Sequence, residues 1–408
     1  MAYLKIAYRN LFRNRRRTAI TASVIVFGCT ALVIAGGFIE SMFDGLREAT
    51  ISMGLGHLQI YNEKFLDQDE ERPLELGLDD WERIAAGVSK IEHVRQITPR
   101  IDFTGLLSNG EKSVVFLGTG VNPQVERDMG FQVAIREGRD LSPETDGAPE
   151  VLLATGLAKS LNVHLGDSLT LLTTTADGAL NGIDVTVCGI VTTGFAEYDA
   201  RALTVTVDSA GALLETSKVS KLVVLLDKTE NTDQAFAALQ GLLTSRNWPL
   251  RLKKWIELAT FYKQVVTWFT AIFAFLGIII FVLVVLSSSN TMLMAVMERV
   301  REIGTLMAFG TARTKVIWIY VLEGALLGTL GGLLGLGVAW LGILVINAAN
   351  MVMPAPPGST EGFPIVVYKV PAIFVSTLLL MTVTLTISSV VPAVKASRLK
   401  IVDALNHS

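Results

Sequence analysis

Four stretches of this chain carry almost no charge, and their length limits what it can fold into. Residues 18–39 hold no charged side chain between Arg17 and Glu40, 264–297 none between Lys263 and Glu298, 370–394 none between Lys369 and Lys395, and 316–349 only Glu323. A hydrocarbon layer about 30 Å thick is crossed by a helix of roughly 20 apolar residues. Each stretch therefore reads as a transmembrane helix. Together they explain a composition that is 50% hydrophobic and only 18% charged, against about 25% charged in ordinary soluble chains, and they argue against a wholly soluble enzyme. The first stretch follows a basic start as a secretory signal would, but it exceeds the usual apolar core of about 7 to 15 residues and reads as an uncleaved anchor.

Charge sets the orientation. Residues 40–263 contain 33 acidic against 21 basic side chains, leaving 5 acidic and 14 basic elsewhere. Basic residues mark the cytoplasmic side of membrane helices. They occur before the first helix (Lys5, Arg9, Arg13, Arg15, Arg16, Arg17), between the second and third (Arg299, Arg301, Arg313, Lys315) and after the fourth (Lys395, Arg398, Lys400). Both termini are then cytoplasmic, and the acidic block and the loop 350–369 lie outside.

The domain plan follows. Residues 1–17 form a cytoplasmic amphipathic helix, with Lys5, Arg9 and Arg13 on one face and Leu4, Ala7, Leu11 and Phe12 on another, lying on the membrane surface. Residues 18–56 are the first membrane helix and its stalk, 57–254 the extracytoplasmic domain, 255–297 a second stalk and helix, 298–315 a cytoplasmic helical loop, 316–349 and 370–394 the last two helices, and 395–408 a tail. Within the outside domain, alternating strand and helix periodicity places strands at 57–61, 221–226 and 249–254 and helices at 78–90 and 232–245. These make two βαβ halves around a β-rich inserted subdomain at about 120–216, with strands near 168–173, 185–190 and 203–207. The fold class is an α-helical membrane protein with four transmembrane helices plus an α+β extracytoplasmic domain. In the third membrane helix, Gly324, Gly328 and Gly332 recur every four residues, as do Gly331 and Gly335. Small residues so spaced let helices approach closely.

Catalytic and metal-binding signatures are missing from the sequence. It has no G-x-x-x-x-G-K-[ST], H-E-x-x-H or G-x-S-x-G, its two cysteines, Cys29 and Cys188, are far apart, and its four histidines are scattered, which reads most simply as surface or turn histidines. The acidic outside block disfavours nucleic acid. The feature that stands out is the loop 298–315, ERVREIGTLMAFGTARTK. Ile303, Leu306, Met307 and Phe309 fall on one side of a short helix and Gly310 sits where a helix stops. Such an apolar face needs cover, from membrane or from a partner.

The string NTMLMAVMERVREIGTLMAFGTARTKVIWIYVLEG (290–324) resembles the signature loop of MacB/FtsX/LolC-LolE-type ABC transporter permeases. The closing PAVKASRLKIVDAL resembles that family's C-terminal motif, with Ile401 where proline is usual. ATGLAKSLNVHLGDSLTL and VTVCGIVTTG resemble the core of its MacB-like periplasmic domain, and in the loop Thr311 replaces a common alanine. The resemblance implies that the loop is a coupling helix docking on a separate cytosolic ABC ATPase, a role falling on Glu298, Arg299, Arg301, Glu302, Ile303, Gly304, Met307, Gly310 and Arg313. Glu323, about 12 Å into the third helix at 1.5 Å per residue, would support that helix by pairing with Arg299 or Arg301 or by capping it. It further implies a non-catalytic subunit of a type VII-like system. That system has two ATPase copies holding ATP and Mg, a second permease copy or paralogue, and no cofactor of this chain's own.

Within the family, GHLQIY (56–61) and the chain length resemble lipoprotein-releasing LolC/LolE-type permeases more than MacB, which carries a fused ATPase. The implied activity is mechanotransmission that extracts a lipoprotein or other lipophilic substrate from the outer leaflet of the inner membrane, with a periplasmic carrier or adaptor as a further partner. A signalling device acting on a cell-wall hydrolase and an efflux pump are the alternatives. A substrate entering sideways needs an apolar surface, which Phe38, Ile39, Met42 and Phe43 supply on the first helix and Phe261, Val265, Trp268 and Phe269 on the second.

In a background lacking Cys29 and Cys188, cysteines at Ser108 and Ser217 should react with an impermeant thiol reagent on intact cells, and one at Thr311 only after permeabilisation. The reverse labelling would overturn the orientation.

Overall fold

A computed structural model describes residues 9, 15–64, 74, 76–131, 134–143, 149–194, 196–354 and 363–398. The amphipathic segment 1–14 (apart from Arg9) and the tail from 399 lie outside the described residues. The chain divides into two compact units, one of residues 1–44, 265–353 and 364–408, the other of 45–264 and 354–363.

Among the described residues, four helices are long and apolar enough to cross a membrane, with mean hydropathy of 2.3, 3.1, 2.1 and 2.0 over their best windows. They are α1 (Arg15–Thr50), α9 (Thr260–Glu298), α11 (Arg313–Ala348) and α12 (Pro371–Ser388), the last followed by the short α13 (Val390–Ser397). Between α9 and α11 lies α10 (Val300–Ala308). At 36 residues, α11 is about 54 Å long, well beyond a bilayer core. The break between α12 and α13 follows from Pro392, which has no N–H to donate back to the preceding turn.

The first unit packs through glycine. A Cβ on Gly324 would meet Ser389 Cβ at 2.7 Å, one on Gly328 would meet Thr382 Cα at 3.0 Å, and one on Gly332 would meet Leu378 Cδ1 at 2.7 Å. That stripe of α11 faces α12 and Ser389 beyond its end. One on Gly331 would meet Ile25 Cγ2 at 3.0 Å and one on Gly335 would meet Cys29 Cβ at 2.7 Å, so the second stripe faces α1. Close approach brings polar groups into bonding range: Thr30 Oγ1 donates to the Gly335 carbonyl at 3.0 Å. Thr21 bonds Thr291 of α9 at 2.9 Å, and Ser388 bonds Ser288 at 3.3 Å. Around these contacts Ile25, Cys29, Val33, Val284, Leu327, Ile343, Met381 and Leu385 form one buried apolar cluster. At the other end, Asn347 donates to and accepts from the Val367 backbone, and Tyr368 N–H donates to Gly37 of α1.

The second unit is a mixed α/β domain. Its strands are β1 (Leu58–Asn62), β2 (Val94–Ser108), β3 (Ser113–Val121), β4 (Ala134–Gly138), β5 (Glu150–Ala154), β6 (Ser168–Thr174), β7 (Leu180–Thr192), β8 (Ala202–Thr206), β9 (Lys221–Leu226) and β10 (Leu250–Lys254). Its helices are α2 (Trp81–Val88), α3 (Pro123–Met129), α4 (Thr155–Leu161), α5 (Ala196–Asp199), α6 (Val207–Leu214), α7 (Thr232–Ser245) and α8 (Trp255–Leu258). The strand path is β10-β1-β9-β2-β3-β8-β5-β7-β4, with β6 bridging β2 and β7.

The two βαβ halves are present but interleaved. β9 lies antiparallel between β1 and β2, and β1 lies antiparallel between β9 and β10. Each half is thus split by a strand of the other, the order 4-1-3-2 of a ferredoxin-like sheet. The β-rich part opens in the middle of β2 rather than near residue 120. β2 pairs with β9 through Arg100 and with β3 from Ile101 onward, as one strand that runs on past Pro99. Ala259 (ψ 66) separates α8 from α9, so residues 255–263 are not one continuous helical stalk.

The glycine stripes give a graded expectation. Gly335→Ala should lower the melting temperature in detergent, at the cost of about 1 to 3 kcal/mol typical of overpacking. Gly337→Ala, with nothing within 4 Å of the added Cβ, should be neutral or slightly stabilising.

Candidate functional site

Two places join the long helices to the structure around them, and the first is α10. It begins after Arg299, whose carbonyl accepts from Ile303 N–H at 2.9 Å. It ends in a Schellman motif: Gly310 N–H donates to Met307 and Thr311 N–H to Leu306, with Gly310 at φ 84. The apolar residues do not share one side. Val300, Ile303, Gly304 and Met307 are buried, and Ile303 and Met307 belong to a cluster with Val296, Val316, Tyr320, Ala393 and Ala396. The cover for this face is therefore the chain itself, from α9, α11 and α13. Leu306 (46% exposed) and Phe309 (86%) point away from it.

The residues expected to face a partner separate accordingly. Glu298, Arg301, Glu302, Gly310 and Arg313 are exposed, whereas Arg299, Ile303, Gly304 and Met307 are buried, Ile303 and Met307 in the cluster that holds α10 to its own bundle. Glu323 is buried too, at 6% exposure, so it faces protein, while the exposed Arg301 stands on the open side. Leu306 and Phe309 join the exposed set. Their position was legible only once the buried face was known, because an amphipathic period does not say which flank of its apolar arc a neighbour will cover.

The second place lies within the α/β unit, where the chain following α1 and preceding α9 packs. After α1 the chain makes one π-helical turn, Ile51–Leu55, with Gly54 at φ 104. Arg100 of β2 closes it. Its Nη1 donates to the Gly54 carbonyl at 2.7 Å, and its Nε and Nη2 grip both oxygens of Glu126 at 3.0 and 2.6 Å. The guanidinium also stacks on Phe131, 5.4 Å from the ring centre. A Cβ at position 54 would collide with that guanidinium, so both the positive φ and the close approach require glycine. Beside this pair, Ile51, Met129, Phe131, Val223, Leu225, Trp255 and Ala259 form one buried cluster, with Leu55, Ile256 and Tyr262 against it. The turn after α1 and the turn before α9 are thus seated in the same apolar core under β9.

A cavity of about 340 Å³ adjoins this junction, lined by Glu48, His57, Arg95, Asp227 and Thr229 among others. His57 does not lie at the surface or in an exposed turn: it is 4% exposed. The Leu226 N–H donates to its Nδ1 at 3.1 Å, which leaves Nε2 as the donor to Thr229 Oγ1 at 3.0 Å, and Thr229 in turn donates to Glu48 at 2.9 Å. The chain of bonds requires a neutral ring, and burial lowers the His57 pKa from its ordinary value, against the opposing pull of Glu48 and Asp227. Nearby, Asp227 is held down to about 2 by hydrogen bonds from Asn231 and His93. His164 is exposed and His407 lies outside the described residues.

The two aromatic strips proposed for substrate are placed unevenly. Phe38 packs against the buried cluster of α1, α11 and α12, and Ile39, Met42 and Phe43 are half-buried. Phe261 and Trp268 are exposed at 53% and 71%. Val265 and Phe269 are half-buried, the latter stacked on Phe273.

A histidine whose folded pKa is depressed contributes its full stability above the unfolded pKa near 6.5 and loses it as pH falls below that value. The junction should therefore loosen between about pH 7 and 5, read as faster hydrogen exchange at residues 51–57. His57→Gln should flatten that pH dependence. Identical profiles for the two proteins would refute the role of the ring.

The sequence matches the family described as MacB-like periplasmic core domain over residues 18–242, and that described as FtsX-like permease C-terminal over residues 268–401. It is 23% identical to the uncharacterized ABC transporter permease YvrN of Bacillus subtilis, over 100% of both chains. It is 23% identical to the lipoprotein-releasing system transmembrane protein LolC of Neisseria meningitidis, over 82% of this chain and 79% of that one. It is 24% identical to the macrolide export ATP-binding/permease protein MacB of a Shewanella species, over 85% of this chain but 53% of that protein, so the chain spans about half the length of this relative. Among solved structures, the periplasmic region of MacB from Actinobacillus actinomycetemcomitans aligns at 18% identity and TM-score 0.38, over 53% of this chain and 94% of that one. The extracellular domain of the transporter YknZ from Gram-positive bacteria aligns at 12% and 0.37, over 49% and 100%. With the MacB-like periplasmic core domain alone covering more than half of its residues, the chain belongs to the family of MacB-, FtsX- and LolC/LolE-type ABC transporter permeases.

Proposed function

We propose that this permease works by mechanotransmission, converting closure of two cytosolic ATPase copies into movement of its α/β domain, so as to extract a lipoprotein or another lipophilic substrate from the outer leaflet of a bacterial inner membrane. ATP and Mg are held by the ATPase, and this chain acts without catalysis. A second permease copy or paralogue completes the complex, both termini are cytoplasmic, and a periplasmic carrier or adaptor receives the cargo.

The observation that carries this reading is the shared junction, where the turns at the ends of α1 and α9 pack in one apolar cluster and Arg100 clamps the first of them. Helices seated in a common core move the domain that owns that core. Support also comes from the membrane runs, in which Glu323 is the single charged residue; a path for polar solutes is ordinarily lined with polar or charged groups. At the other end, α10 is locked to α11 and α13 by its buried face and turns Arg301, Glu302, Leu306 and Phe309 outward. An apolar tip with charged flanks suits a groove in a partner ATPase. α9 leaves Phe275, Leu283 and Leu286 exposed, a surface for lipid and for the second permease.

Photo-crosslinkers at Met42 and Phe269 test the reading in the complex reconstituted with its ATPase. They should capture a lipidated or hydrophobic substrate without nucleotide and lose it when ATP is trapped, and Phe309→Ser should abolish that loss while the crosslink itself persists. Capture of bulk phospholipid alone, equal in both states, would refute extraction and favour signalling to a periplasmic partner.

A further inference from the structure

The short helix α13 has two unlike faces. Pro392, Ala393, Ala396 and Ser397 are buried, Ala393 and Ala396 in the cluster that holds α10. Val391, Val394, Lys395 and Arg398 follow one another at i, i+3, i+4 and i+7, which places them on a single stripe of the helix. With Val390 they line a groove of about 360 Å³. Val390 and Val391 are 40% and 66% exposed. Neither Lys395 nor Arg398 has a carboxylate partner among the described residues.

The order of chemistry along the stripe is that of a lipid. α12 and α13 together form a candidate membrane span ending at Ser397, so the valines come first from the membrane side and the cations last. From Val391 to Arg398 the rise is about 10 Å at 1.5 Å per residue, comparable to the passage from the edge of the hydrocarbon through the headgroups. A planar guanidinium one turn from an ammonium fits a phosphodiester, the first by paired N–H bonds and the second as a point charge. Basic pockets at helix ends are recurrent sites for anionic headgroups. We propose that this groove binds one anionic phospholipid, its phosphate bridging Lys395 and Arg398 and its acyl chain lying over Val390, Val391 and Val394. Because the opposite face of α13 packs in the cluster of α10, the bound lipid braces that cluster at the membrane boundary.

The test is native mass spectrometry of the full-length chain, delipidated in detergent and titrated with phosphatidylglycerol, phosphatidylcholine or soluble glycerophosphate. One phosphatidylglycerol per chain should be retained in preference to phosphatidylcholine. The Lys395→Gln/Arg398→Gln double variant should hold it roughly thirty-fold less well, at about 1 kcal/mol per cation, and the charge-conserving Lys395→Arg/Arg398→Lys variant should restore it. Val391→Asn should weaken phosphatidylglycerol alone. Equal retention of the two lipids, unchanged retention by the double variant, or full competition by glycerophosphate would each overturn the proposal. The last would show a site for a free phosphate rather than for a lipid.

Discussion

A helix that leaves the membrane has carbonyls without partners, and the bond from Arg100 to the Gly54 carbonyl takes up one of them where α1 ends. The arrangement holds only because three conditions are met together. Gly54 adopts a positive φ, Glu126 neutralises the guanidinium through two bonds, and Phe131 covers it. Both members of the ion pair are about nine-tenths buried. Removing one would leave the other charged and desolvated, a loss of about 3 to 5 kcal/mol in comparable settings. The pair thereby fixes the turn Ile51–Leu55 against β2, since a carboxylate and a carbonyl on opposite sides of one planar fork leave little freedom to rotate.

The cluster beside it gives that fixation a second anchor. Ile51 and Trp255 lie just over two hundred residues apart in sequence yet share a core with Val223 and Leu225 of β9, the strand that also separates β1 from β2. β9 is buried along nearly its whole length. The residues flanking both long helices thus pack on an interior strand of the sheet rather than on a peripheral loop, and such cores are close-packed and resist gradual deformation.

How much of this could be read from the sequence depends on the range of the interaction. The four membrane runs, the strand Lys221–Leu226 and the helix Thr232–Ser245 are local patterns of hydrophobicity, and they match the structure closely. The glycine stripes of α11 were legible for the same reason, since the four-residue spacing is intrinsic to a helix face, although which stripe meets α1 and which meets α12 is a tertiary fact. The interleaving of β1 and β9 was not legible, because strand order depends on pairing across some 160 residues. His57 illustrates the same limit: an isolated histidine carries no local sign of burial, and its partners, Leu226 and Thr229, lie about 170 residues further along the chain.

The loop 298–315 shows where pattern reading divides correctly but assigns the buried flank wrongly. Its periodicity identifies a short amphipathic helix, and Gly310 marks its end by the only backbone geometry that lets the chain reverse there without strain. Yet the apolar arc of such a helix has two flanks, and the neighbours that cover it come from α9, α11 and α13, the last more than eighty residues further on. Ile303 and Met307 are taken by those neighbours and Leu306 and Phe309 are left out. α10 is thus packed on one face against α9, α11 and α13 and exposed at Leu306 and Phe309, while α11 in turn meets α1 and α12 through its close glycine contacts.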